Sequence, residues 1–121
     1  MIICIVGSSA WLGKDIPIAK QAIEDYLVNF DPFVDVVISG ECPKGGVDSW
    51  AKEIAINRGF AFKGYPPEAN EKWAYMKRNK QMALDCDVLL RVVSSISKTF
   101  GSGITMKWAV QLGKKVSEVK I

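Results

Sequence analysis

The chain has 121 residues, 49% of them apolar and 24% charged, with 16 Lys and Arg against 13 Asp and Glu for a net charge of +3. That size and balance suit one domain with a full hydrophobic core and exclude disordered and fibrous classes. There is no histidine, which removes Ser-His-Asp and Cys-His nucleophile systems, histidine-ligated zinc and imidazole acid–base chemistry.

The opening "MIICIVG" is apolar from its second residue and has neither a basic leader region nor a cleavage pattern. It predicts a buried first strand over 2–6 in a cytoplasmic protein. The run lacks polar alternation, as in a strand covered on both faces. A helix is expected from Asp15 to Asn29, with Asp15 as N-cap and Pro17 in the first turn. Ile16, Ala19, Ile23, Tyr26, Leu27 and Phe30 give it one apolar stripe. "DPF" ends it, and "VDVVIS" (34–39) is the second strand. A helix over 47–58 presents Val47, Trp50, Ala51, Ile54 and Ala55 on one side and stops at Gly59. "FAFKGY" (60–65) is a short third strand ended by two prolines, and a helix over 71–84 follows. "CDVLLRVV" (86–93) is the fourth strand, "SSISKTFGSG" a polar loop, 104–112 the last helix and "KKVSEVKI" the fifth strand.

Five strands alternating with helices predict an α/β fold. With right-handed crossovers this becomes one three-layer, doubly wound (Rossmann-like) domain with a five-stranded parallel sheet over 1–121. No apolar run approaches the ~18 residues of a membrane span, so no membrane partner is expected. Cys4, Cys42 and Cys86 show no metal-ligand or disulfide spacing, so no metal and no resident cofactor are expected.

Ligands of such sheets sit outside the carboxyl ends of the strands, where the strand order reverses. Three loops belong there: "GSSAWLG", "SGECPKGGVD" and "SSISKTFGSGIT". All carry glycines beside hydroxyl or amide donors. Glycine lets an anion approach the backbone closely, and a helix N-terminus offers unpaired N–H groups and partial positive charge. Lys44 either adds a point charge there or is a solvated loop lysine. Arg78 and Asn79, in "KRNK" (77–80), either bind phosphate or share a solvated helix face with Lys77 and Lys80. The cluster also permits nucleic-acid binding, which the low net charge does not require. The standard signatures do not fit. From Gly40 the Walker spacing reaches Gly45, but Gly46 and Val47 replace the Lys and hydroxyl; the dinucleotide pattern from Gly101 and Gly103 meets Met106.

From "VVISGECPKGGVDSWA" through "KRNKQMALDCDVLL" to "GSGITMKWAVQLGKKV" the chain resembles the SLOG superfamily, most nearly its small YspA-like Rossmann proteins. Gly40, Gly45, Asp48 and Ala51 match a G-x-x-x-G-x-D-x-x-A pattern with one extra glycine, Gly46. Arg78, Asn79 and Met82 match R-N-x-x-M, and Gly101, Ser102, Gly103 and Thr105 sit at a glycine-threonine turn. The resemblance implies a pocket for a nucleotide or nucleotide-derived ligand. The backbone of Gly45, Gly46, Gly101 and Gly103, with Arg78 and Lys44, would hold phosphate. Ser8, Ser9, Asp48, Asn79 and Thr105 would hold ribose or base, with Gly7, Gly40 and Ser102 completing the lining. Asp48 either caps its helix, contacts a ribose hydroxyl, or does both. Two departures weigh on chemistry: Ser9 stands where an arginine often follows the first strand, and Trp108 occupies the place of the LOG-type catalytic glutamate. Sensing or binding is therefore expected over turnover, and no catalytic residue is assigned. The alternatives are phosphoribohydrolase-like cleavage with Asp48 recruited as acid–base group, or DprA-like single-strand binding through "KRNK". Trp73, Tyr75, Met76 and Trp108 offer apolar surface for a homodimer.

Overall fold

A computed structural model of the chain describes residues 1–97 and 101–121. Its sheet contains β1 (Ile2–Gly7), β2 (Val36–Gly40), β3 (Ala61–Tyr65), β4 (Val88–Val93) and β5 (Lys115–Lys120). The order is β3-β2-β1-β4-β5, and every neighbouring pair is parallel. This is the expected α/β architecture. The unalternated first strand is central: Ile3, Cys4 and Ile5 have no exposed surface, because helices cover both faces.

Side-chain alternation along the strands divides the core in two. Ile3, Ile5, Val37, Leu90 and Val92 point into a cluster with Ala19, Ile23 and Leu27 of α1 (Ile16–Leu27) and Ala51, Ile54 and Ala55 of α2 (Val47–Asn57). Cys4, Val6, Ile38 and Leu89 point the other way, onto Met82 and Ala83 of α3 (Lys72–Asp85) and Ala109 of α4 (Gly101–Gln111). The chain winds α1 and α2 on one face, then crosses from β3 to β4 and winds α3 and α4 on the other. That crossover places the switch point between β1 and β4.

Most element boundaries lie within two residues of the sequence expectation, and three of the differences have a clear local cause. Asp15 does not cap α1: its N–H donates to Leu12 O at 2.9 Å inside a 3-10 turn (Gly13–Asp15), its backbone is already helical, and its carboxylate makes no cap bond. β2 begins at Val36 rather than Val34, because Asp31 gathers the preceding residues into a turn. Phe33 N–H donates to Asp31 Oδ1, and the N–H groups of Val34 and Asp35 donate to Asp31 O. The last helix begins at Gly101, three residues before the expected Ile104. Thr105 Oγ1 donates to Gly101 O at 3.0 Å and Arg91 Nε donates to Ser102 Oγ at 3.0 Å, so side chains brace a first turn that is poor in helix formers. The "KTF" of the loop after β4 (98–100) lies outside the described residues. No described helix is long and apolar enough to cross a membrane.

The end of β1 is pressed between β4 and α2. A Cβ on Gly7 would lie 2.1 Å from Val92 O and 2.7 Å from Val47 Cγ2, whereas one on Gly13 would meet nothing within 4 Å. Gly7→Ala should therefore lower stability by about 3 kcal/mol through overpacking against backbone. Gly13→Ala should stay within about 0.5 kcal/mol of the parent. Parallel urea denaturation of the two variants checks the contrast, and equal losses would contradict it.

Candidate functional site

Ser8, the first residue beyond β1, joins the loops at the switch point. Its N–H donates to Val92 O at 3.1 Å, and its Oγ accepts from Ser94 N–H at 3.0 Å. Its carbonyl accepts from Trp11 Nε1 at 2.8 Å and from Val47 N–H at 3.1 Å. The loops after β1, β2 and β4 are thereby tied together. Gly46 is where the second loop meets the first. It has φ +75°, and a Cβ there would lie 2.5 Å from both Ser8 O and Ser9 Cα. The close approach that this glycine permits is to the protein's own backbone. Gly45 has φ +79° and its N–H donates to Cys42 O at 3.0 Å, closing the turn. Of the amides around the start of α2, Val47 N–H is taken by Ser8. Those of Gly46, Asp48 and Ser49 have no hydrogen-bond partner among the described residues, as expected for a first helical turn.

Beyond these loops lies the polar centre. A Cβ on Gly40, at the end of β2, would fall 2.6 Å from Arg78 Nη1 and 3.0 Å from Asp48 Oδ2. Only glycine leaves room for both side chains. The guanidinium is fixed within the protein: Arg78 Nη1 donates to Tyr65 O at 2.9 Å and Nε donates to Asn79 Oδ1 at 2.9 Å, with the Tyr75 ring 5.3 Å away. Asn79 is 5% exposed and passes the chain on, Nδ2 donating to Gly101 O at 3.4 Å. α3 is thus wired to the first turn of α4. Of the five donor hydrogens of a guanidinium, two are spent. The Nη2 hydrogens and one on Nη1 have no acceptor among the described residues.

Asp48 lies across from Arg78 without a direct ion pair. Its Oδ1 is 3.1 Å from Ser39 Oγ. Burial pushes its carboxyl up to about 6, against the lowering effects of Ser39, the Arg78 charge and the Cys42 N–H. It does not cap α2, whose N-cap is Gly46 with no side-chain bond, because the carboxyl turns inward to β2.

Two adjoining cavities open here. The smaller, about 130 Å³, is lined by Gly7 and Ser9 from the first loop, Asp48 from α2, Arg78 and Asn79 from α3, and Gly101, Ser102 and Thr105 from α4. The larger, about 470 Å³, runs outward past Gly40 and Asp48 to Glu41, Pro43, Ser49, Lys52, Phe62 and Pro67. Cys42 and Tyr75 border both. The fold therefore brings together most of the sequence-selected residues. It does not bring all of them. Ser8 has no exposed surface, and its backbone and hydroxyl oxygen are engaged in the junction. Lys44 is exposed and borders neither cavity, and neither do Gly45, Gly46 and Gly103. Trp108 sits in the α3/α4 layer with Lys80 Nζ 4.8 Å from its ring centroid, and Lys77 pairs with Glu68 at 2.6 Å. Asp48 is the single carboxyl bordering the smaller cavity among the described residues.

Sequence reasoning missed Ser39, Cys42, Tyr75 and Lys52 as site residues. Two of these had a signal: Tyr75 lies three residues before Arg78, and Lys52 four after Asp48, each sharing a helix face with it. Among the described residues no group of three or more Cys, Asp or Glu could hold a metal ion. No protein-family model matches the chain, and no curated protein matches it.

Because the proton affinity of Asp48 is raised on folding, its contribution to stability is present below the ordinary carboxylate range and is lost as pH climbs through about 6. Asp48→Asn keeps the shape and stays neutral. The variant should match the parent near pH ~4 and exceed it by about 2–3 kcal/mol near pH ~8, at 1.36 kcal/mol for each pKa unit. Urea midpoints across that range read the difference, and a gap that shrinks with rising pH would refute the sign.

Proposed function

We propose that this chain binds a nucleotide or nucleotide-derived ligand at the carboxyl ends of its parallel strands, as a SLOG-type binding module. One observation carries the reading. Arg78 is held rigidly by Tyr65 O and Asn79, keeps three donor hydrogens unspent among the described residues, and borders a cavity at the switch point. A pre-oriented guanidinium loses little entropy on taking up an oxyanion, and its planar fork suits two oxygens of one phosphate. Ser9, Ser102 and the first turns of α2 and α4 surround the same space, adding hydroxyls and helix N-termini.

The larger cavity supports an organic portion attached to that anion. Tyr75, Phe62, Pro43 and Pro67 give it apolar walls, while Ser49, Glu41 and Lys52 give it polar ends. Such walls suit a planar ring with hydrogen-bonding edges. The role is binding rather than turnover. Trp108, at the place of the LOG-type glutamate, faces the α3/α4 layer, and Asp48 borders the smaller cavity without a second carboxyl to share acid–base work.

Isothermal titration of the purified chain with AMP, ADP and ADP-ribose tests the proposal. Binding of at least one is expected, with Arg78→Ala weakening it by about 10- to 150-fold, the equivalent of ~1.5–3 kcal/mol for a charge-assisted hydrogen bond. Unchanged affinity in that variant, or no binding of any probe, would overturn the assignment.

A further inference from the structure

A single hydroxyl hydrogen at the end of β2 bears on the charge of the site. The paired register of β1 and β2 ends at Cys4↔Ile38. One residue further on, Ser39 Oγ lies 2.5 Å from Ile5 O and 3.1 Å from Asp48 Oδ1. Ser39 has no exposed surface, so bulk water does not reach it. A hydroxyl owns one hydrogen and a backbone carbonyl can only accept. Two oxygens 2.5 Å apart with no hydrogen between them would repel, so the Ser39 hydrogen belongs to Ile5 O. The contact with Asp48 then has no hydrogen unless Asp48 brings one. An ionised Oδ1 would instead face the lone pairs of the buried Ser39 oxygen.

Every element around Asp48 bears on its charge. β2 supplies Ser39 and the loop after it the Cys42 N–H; β1 supplies the buried Cys4 thiol. From α3 come Arg78 and Tyr75, and Glu41 and Lys52 border the outer cavity. Arg78 is a cation whose charge acts on the carboxyl, and it spends two of its donors on Tyr65 O and Asn79 rather than on an ion pair with Asp48.

We infer that the form of this site that takes up an anion is the one with Asp48 as a neutral carboxylic acid, its proton on Oδ1 directed at Ser39, so that the ligand meets Arg78 unopposed and, where the free carboxyl is ionised, binds together with a proton. The direction in which burial moves this carboxyl, up to about 6, agrees. Withdrawing the Ser39 hydrogen moves it further the same way. In this state Oδ2, beside Gly40, is an uncharged acceptor on the cavity side. It suits a hydroxyl or amine carried next to the ligand's anionic group, as on a sugar phosphate. A carboxyl bordering an anion pocket would otherwise repel the ligand. The ligand half of this inference rests on the binding site proposed above; the charge of Asp48 does not.

Two measurements separate these halves. Carbon-13 NMR of the ligand-free protein, with the Asp48 carboxyl assigned by its loss in Asp48→Asn, should give a midpoint at or above about 6; a midpoint near the ordinary ~4 overturns the inference. Ser39→Ala should lower that midpoint, because the neutral acid loses its acceptor. A rise would mean that Ser39 had been donating to a carboxylate, and would overturn it equally. The second measurement is titration with sulfate, whose own charge is constant from about pH 5 to 8. Wild-type affinity should fall as pH rises, approaching about tenfold per unit above the Asp48 midpoint, and should be level in Asp48→Asn. A level wild-type profile overturns the proton linkage. Failure of sulfate to bind at every pH overturns the anion site and its linkage together, while the carbon titration still decides the charge of Asp48.

Discussion

Four hydrogen bonds to one residue hold together the loops at the carboxyl end of the sheet. Ser8 leaves the central strand and joins Val92 and Ser94 of the neighbouring strand and its loop, the first turn of α2 through Val47, and Trp11 of its own loop. A parallel sheet fans its loops outward after the strands end, and nothing in strand pairing alone keeps them close. Ser8 does so with main-chain groups and a hydroxyl, without any exposed surface. The glycines on either side answer to the same constraint. Gly7 lets β1 lie against Val92 and Val47, and Gly46, in the left-handed region, lets the second loop lie on Ser8 and Ser9. Their role is to bring protein backbone to protein backbone.

On this frame the site assembles around a charge that is costly to bury. A guanidinium half out of water needs its donors occupied and its position defined. Tyr65 O and Asn79 fix its position while occupying two of its donors, and Asn79 in turn reaches Gly101 O. Among the described residues no buried side-chain polar atom is left without a partner. Asp48 is a second costly group in the same space. A buried ion pair repays its desolvation only with excellent geometry, and here no direct pair forms. Desolvation therefore outweighs the attraction of Arg78, and the carboxyl holds its proton more tightly than an exposed one. A neutral acid beside a fixed cation leaves the cation's field directed into the cavity.

The two helical layers carry different loads. α1 and α2 bury a broad aliphatic cluster, with Trp11 and Trp50 stacked at a tilt 5.5 Å apart above it. α3 and α4 bury fewer residues and devote one end to the site. Their outer surface keeps Trp73 and Met76 exposed, while Lys80 lies over Trp108. The aromatic and basic residues of 73–80 therefore separate by direction. Arg78 and Tyr75 border the cavities, whereas Lys77 and Lys80 engage Glu68 and Trp108 on the outside.

Local patterning was enough to read the α/β architecture. Apolar runs without alternation mark strands covered on both sides, and three- and four-residue spacing marks helices that cover them. Ile3 and Ile5 facing one layer and Cys4 and Val6 the other follow directly from that period. The three loops, Asp48, Arg78 and the 101–105 turn were visible as residues capable of chemistry. What each does depended on partners far away in the chain. Ser8 looked like a ligand hydroxyl and is a joint, because Val92 and Ser94 lie across the switch point. Gly40 looked like part of a ligand lining and is the space shared by Asp48 and Arg78, 30 residues apart on two layers. Ser39 gave no signal, since its importance lies in reaching the Ile5 carbonyl and the Asp48 carboxyl at once, 34 and 9 residues away in the chain. Periodicity is a property of neighbours in sequence and can be read one segment at a time. Hydrogen-bond ownership and burial are properties of neighbours in space, and the folded chain alone settles them.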